Sequence, residues 1–315
     1  LELGDAEGAA HAATLLIAAD PGLTTDDGTP LRMHGRLLRA TVAEHGIDEA
    51  VADARMAADG FVPDAPIRSI ALYLLGTHAS LEGRREDAAA LLGQAEGLSA
   101  GVMPTVYSLV LAQQALLAGQ AGDWRAAETL SGRASAFQRS GGVEDYATQG
   151  IVNAVHALVE ARAGRDVPAR RYAEQTARNL ALQGSIFRWL ALEARLALAQ
   201  TWVLLGEPGR ARPLLAESLE MLERDPLPLL RTWAEDLQQT LGRTTGSGGG
   251  PELTTAELRT LQYLPTHLSL REIGERLYVT RNTVKTHTIS IYRKLEVTSR
   301  SEAVVRAREL GILDG

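Results

Sequence analysis

Between Arg281 and Lys294 the chain gathers side chains that could hold a phosphate backbone and read the edges of bases. Arg281, Lys285, Arg293 and Lys294 are cationic, and no carboxylate falls between Thr280 and Leu295, although the whole chain has a formal charge of −7. Local positive charge on an acidic protein points to a phosphate-bearing partner. Wound as a helix at about 100° per residue, Val284, Thr288, Ile291 and Leu295 fall in one sector, with Thr280 and His287 beside it. Asn282, Thr286, Ile289 and Arg293 gather on the opposite side, with Lys285 at its edge. One face can pack on a core while the other reads a duplex. In a DNA major groove, Lys285 and Thr286 are candidates for base edges or nearby phosphates, Asn282 for an adenine and Ile289 for a thymine methyl. Arg281, Thr283, Arg293 and Lys294 would hold phosphates and set register, as would Ser269 at the start of the preceding helix. Plainer roles compete: Lys285 and Arg293 as solvated charges, Ile289 as a partly packed residue, His287 as a structural residue bonded to backbone.

These side chains need two short helices and a tight corner to present them. Thr280 is placed as an N-cap, and no glycine or proline interrupts the run to Leu295, so the reading helix is expected over Thr280–Leu295. Ser269 and Glu272 have the spacing of a capping box, and Leu270, Ile273 and Leu277 follow at helical intervals. Only Tyr278 and Val279 separate the two helices, a turn as short as helix-turn-helix geometry requires. A last helix, about Ser301–Leu310, turns Ala303, Ala307 and Leu310 inward and leaves Val304 on another side, a candidate dimer seam. Arg300 is expected to pair with a carboxylate such as Glu257, or to cap the domain, rather than to touch a base.

In order along the chain stand LTTAELRTLQYL (Leu253–Leu264), LSLREIGERL, TVKTHTISIYRKL and TSRSEAV. Together these four stretches resemble the LuxR-type DNA-binding domain. The resemblance implies a small four-helix domain over 252–315, sequence-specific binding of double-stranded DNA, transcription regulation, a homodimer on paired half-sites and RNA polymerase as a further partner. Three positions depart from the family's habit: Ala256 stands for an arginine, Ser290 for an asparagine or similar polar residue, and Glu296 for a glycine. The last makes a left-handed cap after the reading helix costlier to form.

At 315 residues, 45% of them apolar, two domains with buried cores are expected. There is no cysteine, which removes disulfides, thiol catalysis and thiolate zinc sites. No apolar run approaches the roughly 18–20 residues of a membrane span, so a cytoplasmic protein without a membrane partner is expected. The first residue is Leu, which suggests a piece of a longer chain. From Glu252 onward ten basic residues meet eight acidic ones, a charge of +2, leaving −9 for everything before. An enzyme fares poorly: no acid/base pair, nucleophile constellation, metal cluster or GxxxxGK[ST] phosphate loop can be found.

Residues 1–241 carry helical patterning, and it repeats. Gly83, Gly122, Gly164 and Gly206 are spaced by 39, 42 and 42 residues. Each is followed five positions on by an alanine (Ala88, Ala127, Ala169, Ala211), eight on by Leu91, Leu130, Tyr172 or Leu214, and twelve on by Ala95, Ala134, Thr176 or Ser218. Seven positions before stand Gly76, Ala115, Ala157 and Ala199. The glycine would end the first helix of a hairpin, and the small residues would let paired helices approach closely. The pattern, with GDWRAA at Gly122–Ala127, resembles tetratricopeptide repeats at a longer period; a further hairpin is expected around Gly46. The expected fold is thus all-α: a tetratricopeptide-like helical-hairpin solenoid, with Trp124, Trp189, Trp202 and Trp233 mainly in its core, followed by the small DNA-binding domain. Its concave face would hold a small molecule, a peptide or another domain. Residues 242–251, GRTTGSGGGP, read as a flexible tether spanning about 17–19 Å. This order of parts resembles the carboxy-terminal portion of large ATP-binding regulators related to the maltose-regulon activator. That likeness implies an ATP module upstream of Leu1 and no cofactor in this chain. The rival reading is a protein-interaction scaffold with a weak or vestigial DNA-binding domain.

Overall fold

The computed structural model describes residues 6–43, 46–182, 188–224, 227–246, 253–277, 279, 281–310 and 312–313. Among them the chain is helical, its only extended pairing an isolated bridge between Thr24 and Pro30. It divides into two compact units, Leu1–Trp202 with Gly209–Gln238, and Val203–Pro208 with Gln239–Gly315.

The first unit is a run of antiparallel helix pairs: α1 (Ala6–Ile17), α2 (Leu31–Val42), α3 (Ile47–Gly60), α4 (Arg68–Leu81), α5 (Arg85–Ser99), α6 (Pro104–Gln120), α7 (Trp124–Gly141), α8 (Gly150–Arg162), α9 (Asp166–Leu182), α10 (Arg188–Leu204), α11 (Pro208–Arg224) and α12 (Pro228–Gly246). The repeated glycines close the first helix of each pair. Gly83, Gly122, Gly164 and Gly206 take φ of 77°, 84°, 74° and 72°, the left-handed region that a side chain makes costly. The alanines five residues on are sealed, Ala88, Ala127, Ala169 and Ala211 all at 0% exposure. Ala95, Ala134, Thr176 and Ser218 are equally buried. At Gly76 a Cβ would come within 2.9 Å of Leu92 Cγ, so α4 and α5 touch there only because the side chain is absent. The expected hairpin at Gly46 is present as α2 and α3. There Arg36 and Arg39 both donate to the fully buried Asp53 and pin the pair together.

The inner helices of the pairs are heavily buried along part of their length, and α4, α6 and α8 also line two clefts. Nearly every residue of α4 and α8 is buried, and so is the middle of α6 from Ser108 to Gln113. Their sequences are apolar all round instead of along one stripe, and a helix of that kind is stable only when enclosed on every side. Gln113 Nε2 of α6 donates to Glu193 Oε1 of α10 at 3.1 Å, and both residues have 0% exposure. Trp189 of α10 borders a small space with Ile47, Leu74 and Leu81. Around Gln113 and Glu193 the unit is therefore tightly packed. Of the other tryptophans, Trp202 is buried beneath the Arg210 guanidinium, while Trp124 and Trp233 border a separate cavity of about 240 Å³.

Helix α12 continues to Gly246, so Gly242–Gly246 of the expected tether are helical. The remainder of that stretch lies outside the described residues.

Candidate nucleic-acid interface

The second unit is built from four short helices: α13 (Thr255–Tyr263), α14 (Leu270–Leu277), α15 (Arg281–Leu295) and α16 (Arg300–Glu309). Their shared core is Leu261, Leu264, Ile273, Val284, Ile291, Leu295, Ala303 and Ala307, with further apolar side chains packed around it. Three of the four helix starts are capped by side chains. Thr254 Oγ1 accepts from Glu257 N–H at 3.1 Å, while Glu257 Oε2 accepts from Thr254 N–H at 2.7 Å. Ser269 and Glu272 repeat this reciprocal box on α14, as the spacing predicts. Ser299 accepts from Glu302 N–H at the start of α16. On α15 the proposed cap Thr280 lies outside the described residues.

Helix α15 is two-faced in the sense its sequence requires. Val284, Thr288, Ile291 and Leu295 are buried, and so is His287 at 6% exposure. On the other side Arg281, Lys285, Thr286 and Arg293 are exposed, with Ile289 at 58% exposure between them. Thr283 is half-buried, and the Asn282 side chain lies outside the described residues.

Two residues expected at phosphates are occupied within the unit. Lys294 Nζ lies 2.6 Å from Glu257 Oε2, its side chain 19% exposed. Burial by itself would raise the pKa of Glu257, but hydrogen bonds from Lys294, Ser290 and the Thr254 backbone, with the Lys294 charge, hold it below the ordinary carboxylate value. One carboxylate thus caps α13 and anchors the last turn of α15, which fixes α15 against α13. Ser269 donates its hydroxyl to Glu272 Oε2 at 2.6 Å, and that exposed carboxylate sits where a phosphate would approach the helix start.

Arg300 takes the capping role foreseen for it, in a form the sequence did not suggest. Its guanidinium donates to the carbonyl oxygens of Leu264 (2.9 Å), Leu268 (2.8 Å), Tyr263 (3.3 Å) and Thr266 (2.8 Å). These carbonyls lie where α13 ends and the chain turns into α14. The carboxylate partner proposed for it, Glu257, belongs to Lys294 instead.

Val304, the candidate seam residue, is half-buried. It packs against the core of the unit, beside the buried Ala303 and Ala307, whereas its neighbour Val305 is the exposed residue at 56%. The inward arc of α16 is wider than the Ala303–Ala307 line, and Val304 falls inside it. If α16 carries a seam, Val305 is the residue available to it.

After α15 the chain does make the left-handed cap for which glycine is missing. Glu296 has φ +56°, and the cap is closed by Glu296 N–H to Arg293 O at 3.3 Å and Val297 N–H to Tyr292 O at 2.9 Å, the Schellman pattern. The Glu296 side chain is exposed, so nothing it touches offsets that backbone cost. Glu296→Gly is expected to stabilise the unit by about 0.5–1 kcal/mol, the left-handed penalty less the added freedom of glycine in the unfolded chain. The denaturant dependence of amide exchange in α15 checks this.

Residues 251–307 match the family model described as bacterial regulatory proteins, luxR family, and the unit carries a LuxR-type helix-turn-helix domain. The chain is 38% identical over 61 residues to transcriptional regulatory protein LnrK of Bacillus subtilis (strain 168), covering 19% of this chain and 28% of that protein. It is 41% identical over 59 residues to transcriptional regulatory protein DegU of Brevibacillus brevis, 19% of this chain and 25% of that one. It is 44% identical over 55 residues to transcriptional regulatory protein LiaR of Bacillus subtilis (strain 168), 18% of this chain and 26% of that one. The chain thus spans about a quarter of the length of the curated relatives it matches.

Proposed function

We propose that this chain is a sequence-specific DNA-binding transcription regulator whose second unit lays the exposed face of α15 in a major groove. The observation that carries this reading is the split of α15 into a buried face and an exposed one bearing Arg281, Lys285, Thr286, Ile289 and Arg293, inside a domain matching a regulator family. Lys285 and Thr286 lie toward base edges, Ile289 toward a thymine methyl, Asn282 alongside; Arg281 and Arg293 hold phosphates. Lys294 acts at one remove, by keeping α15 at its angle to α13. The first unit regulates access to DNA by binding a small molecule or protein. Binding as a homodimer to paired half-sites, contact with RNA polymerase and a cytoplasmic location complete the proposal. Among the described residues no helix is long and apolar enough to cross a membrane.

Selection of bound sequences from random duplexes at physiological salt, using the intact chain, tests it. A repeated half-site should emerge; an unenriched pool, retained only at low salt, would mark a non-specific polyanion binder. Val305→Asp is expected to leave binding to a single half-site unchanged and to lower occupancy of the paired site several-fold, read by titration of duplexes carrying one or two half-sites.

A further inference from the structure

The largest cavity described lies in the first unit, between α1 and α2 on one side and α4 and α6 on the other, with a volume of about 510 Å³. Its wall includes Leu37, Leu38, Ile70, Met103, Val106 and Leu109, and none of its lining residues is Lys, Arg, Asp or Glu. A cleft of this size with an apolar lining has the dimensions of a small-molecule site. A few polar groups interrupt the wall. Thr41 is satisfied by donating to Leu38 O at 2.7 Å. Thr148 Oγ1 and His34 Nδ1 are buried and have no hydrogen-bond partner, in residues that both line the cavity.

We infer that this cavity is the binding site of an uncharged, largely hydrocarbon small molecule carrying one or two hydrogen-bonding groups. Volume and lining select the hydrocarbon body. The absence of a charged side chain from the described wall selects against carboxylates and ammonium ions, since a charge moved there would be desolvated without a partner. Thr148 and His34 are thus the two lining residues with an unspent hydrogen-bonding atom, which sets the one or two polar groups a ligand could use. Because α1 and α2 form one wall and α4 and α6 the other, an occupant ties the first hairpin to the repeats that follow. This deepens the reading of the first unit as the sensing part and rests on it for its biological role, though not for the binding itself.

The test is fluorescence titration of the intact chain with N-phenyl-1-naphthylamine, an uncharged apolar probe, followed by competition. Saturable binding of one probe per chain is expected, displaced by 1-decanol and at least tenfold less readily by decanoate. Ile70→Trp and Leu38→Phe, each adding a larger ring at a half-buried wall position, should weaken probe binding at least tenfold while the thermal unfolding curve stays at or above the wild-type midpoint. Absence of saturable binding by the wild type, or unchanged probe affinity in both variants with folding intact, would overturn the inference, as would displacement by decanoate as readily as by decanol. Duplex binding is measured in parallel: loss of sequence preference with the probe site intact would count against the regulator reading and leave this one standing.

Discussion

Replacing Glu193 by glutamine is expected to raise the thermal midpoint of the first unit by roughly 6–12 °C at pH 8 and by only about 2–3 °C at pH 5. Glu193 sits in the packed middle of the helical unit at 0% exposure, its Oε1 taking the Gln113 amide and its Oε2 taking no hydrogen bond. Burial pushes its carboxyl up to about 7, an effect the Gln113 hydrogen bond only partly offsets. The nearby Tyr73 phenol is driven upward too, first by burial and then by the Glu193 charge. With its folded value above its unfolded one, the group binds its proton more tightly in the native state. It therefore stabilises the fold fully below about pH 4.5, and that contribution is lost as pH rises toward about 7. Across that interval the loss is about 3 kcal/mol, and at roughly 2–4 °C per kcal/mol for a domain of this size the shift follows. Glutamine keeps the shape and cannot ionise. Circular-dichroism melts of both proteins at pH 5 and pH 8 check it; parallel losses of stability in the two would show that Glu193 is not the group responsible.

Removing the Arg300 guanidinium should cost the second unit about 2–3 kcal/mol. One side chain there serves four backbone carbonyls at the turn from α13 to α14, and bonds from a charged donor contribute about 1.5–3 kcal/mol in net terms. A unit of some sixty residues has on the order of 3–9 kcal/mol in total, so Arg300→Ala leaves it close to unfolding. Arg300→Lys keeps the charge but not the planar fork and should recover less than half the loss. Amide exchange over residues 253–277 reads both variants. Protection unchanged in Arg300→Ala would mean that water replaces the guanidinium without penalty.

How far these features could be read in advance depended on whether their signal was local. The hairpins were legible because each turn needs a left-handed glycine and each crossing a small residue, and both demands recur at fixed distances from Gly83, Gly122, Gly164 and Gly206. The two faces of α15 followed from helical periodicity alone. Contacts between elements were harder. Whether Glu257 would meet Lys294 or Arg300 depends on the angle between α13 and α15, which no spacing encodes. The Thr254–Glu257 box was available in the sequence, since it has the same spacing as Ser269–Glu272. The partial burial of Val304 was not legible, because a ten-residue helix with three small or apolar markers does not define the width of its buried arc. The heavy burial of α4 and α8 had a signal too, since both are apolar on nearly every side.

The account turns on whether the exposed face of α15 distinguishes one duplex from another. Anisotropy titration of the intact chain at physiological salt, with a selected duplex against a base-shuffled competitor of equal length, decides it most directly. A preference of at least about a thousandfold is predicted, reduced roughly tenfold or more by Lys285→Ala through loss of a contact of about 1–3 kcal/mol. Equal affinity for both duplexes, or a Lys285→Ala chain indistinguishable from the wild type on the selected site, would contradict it.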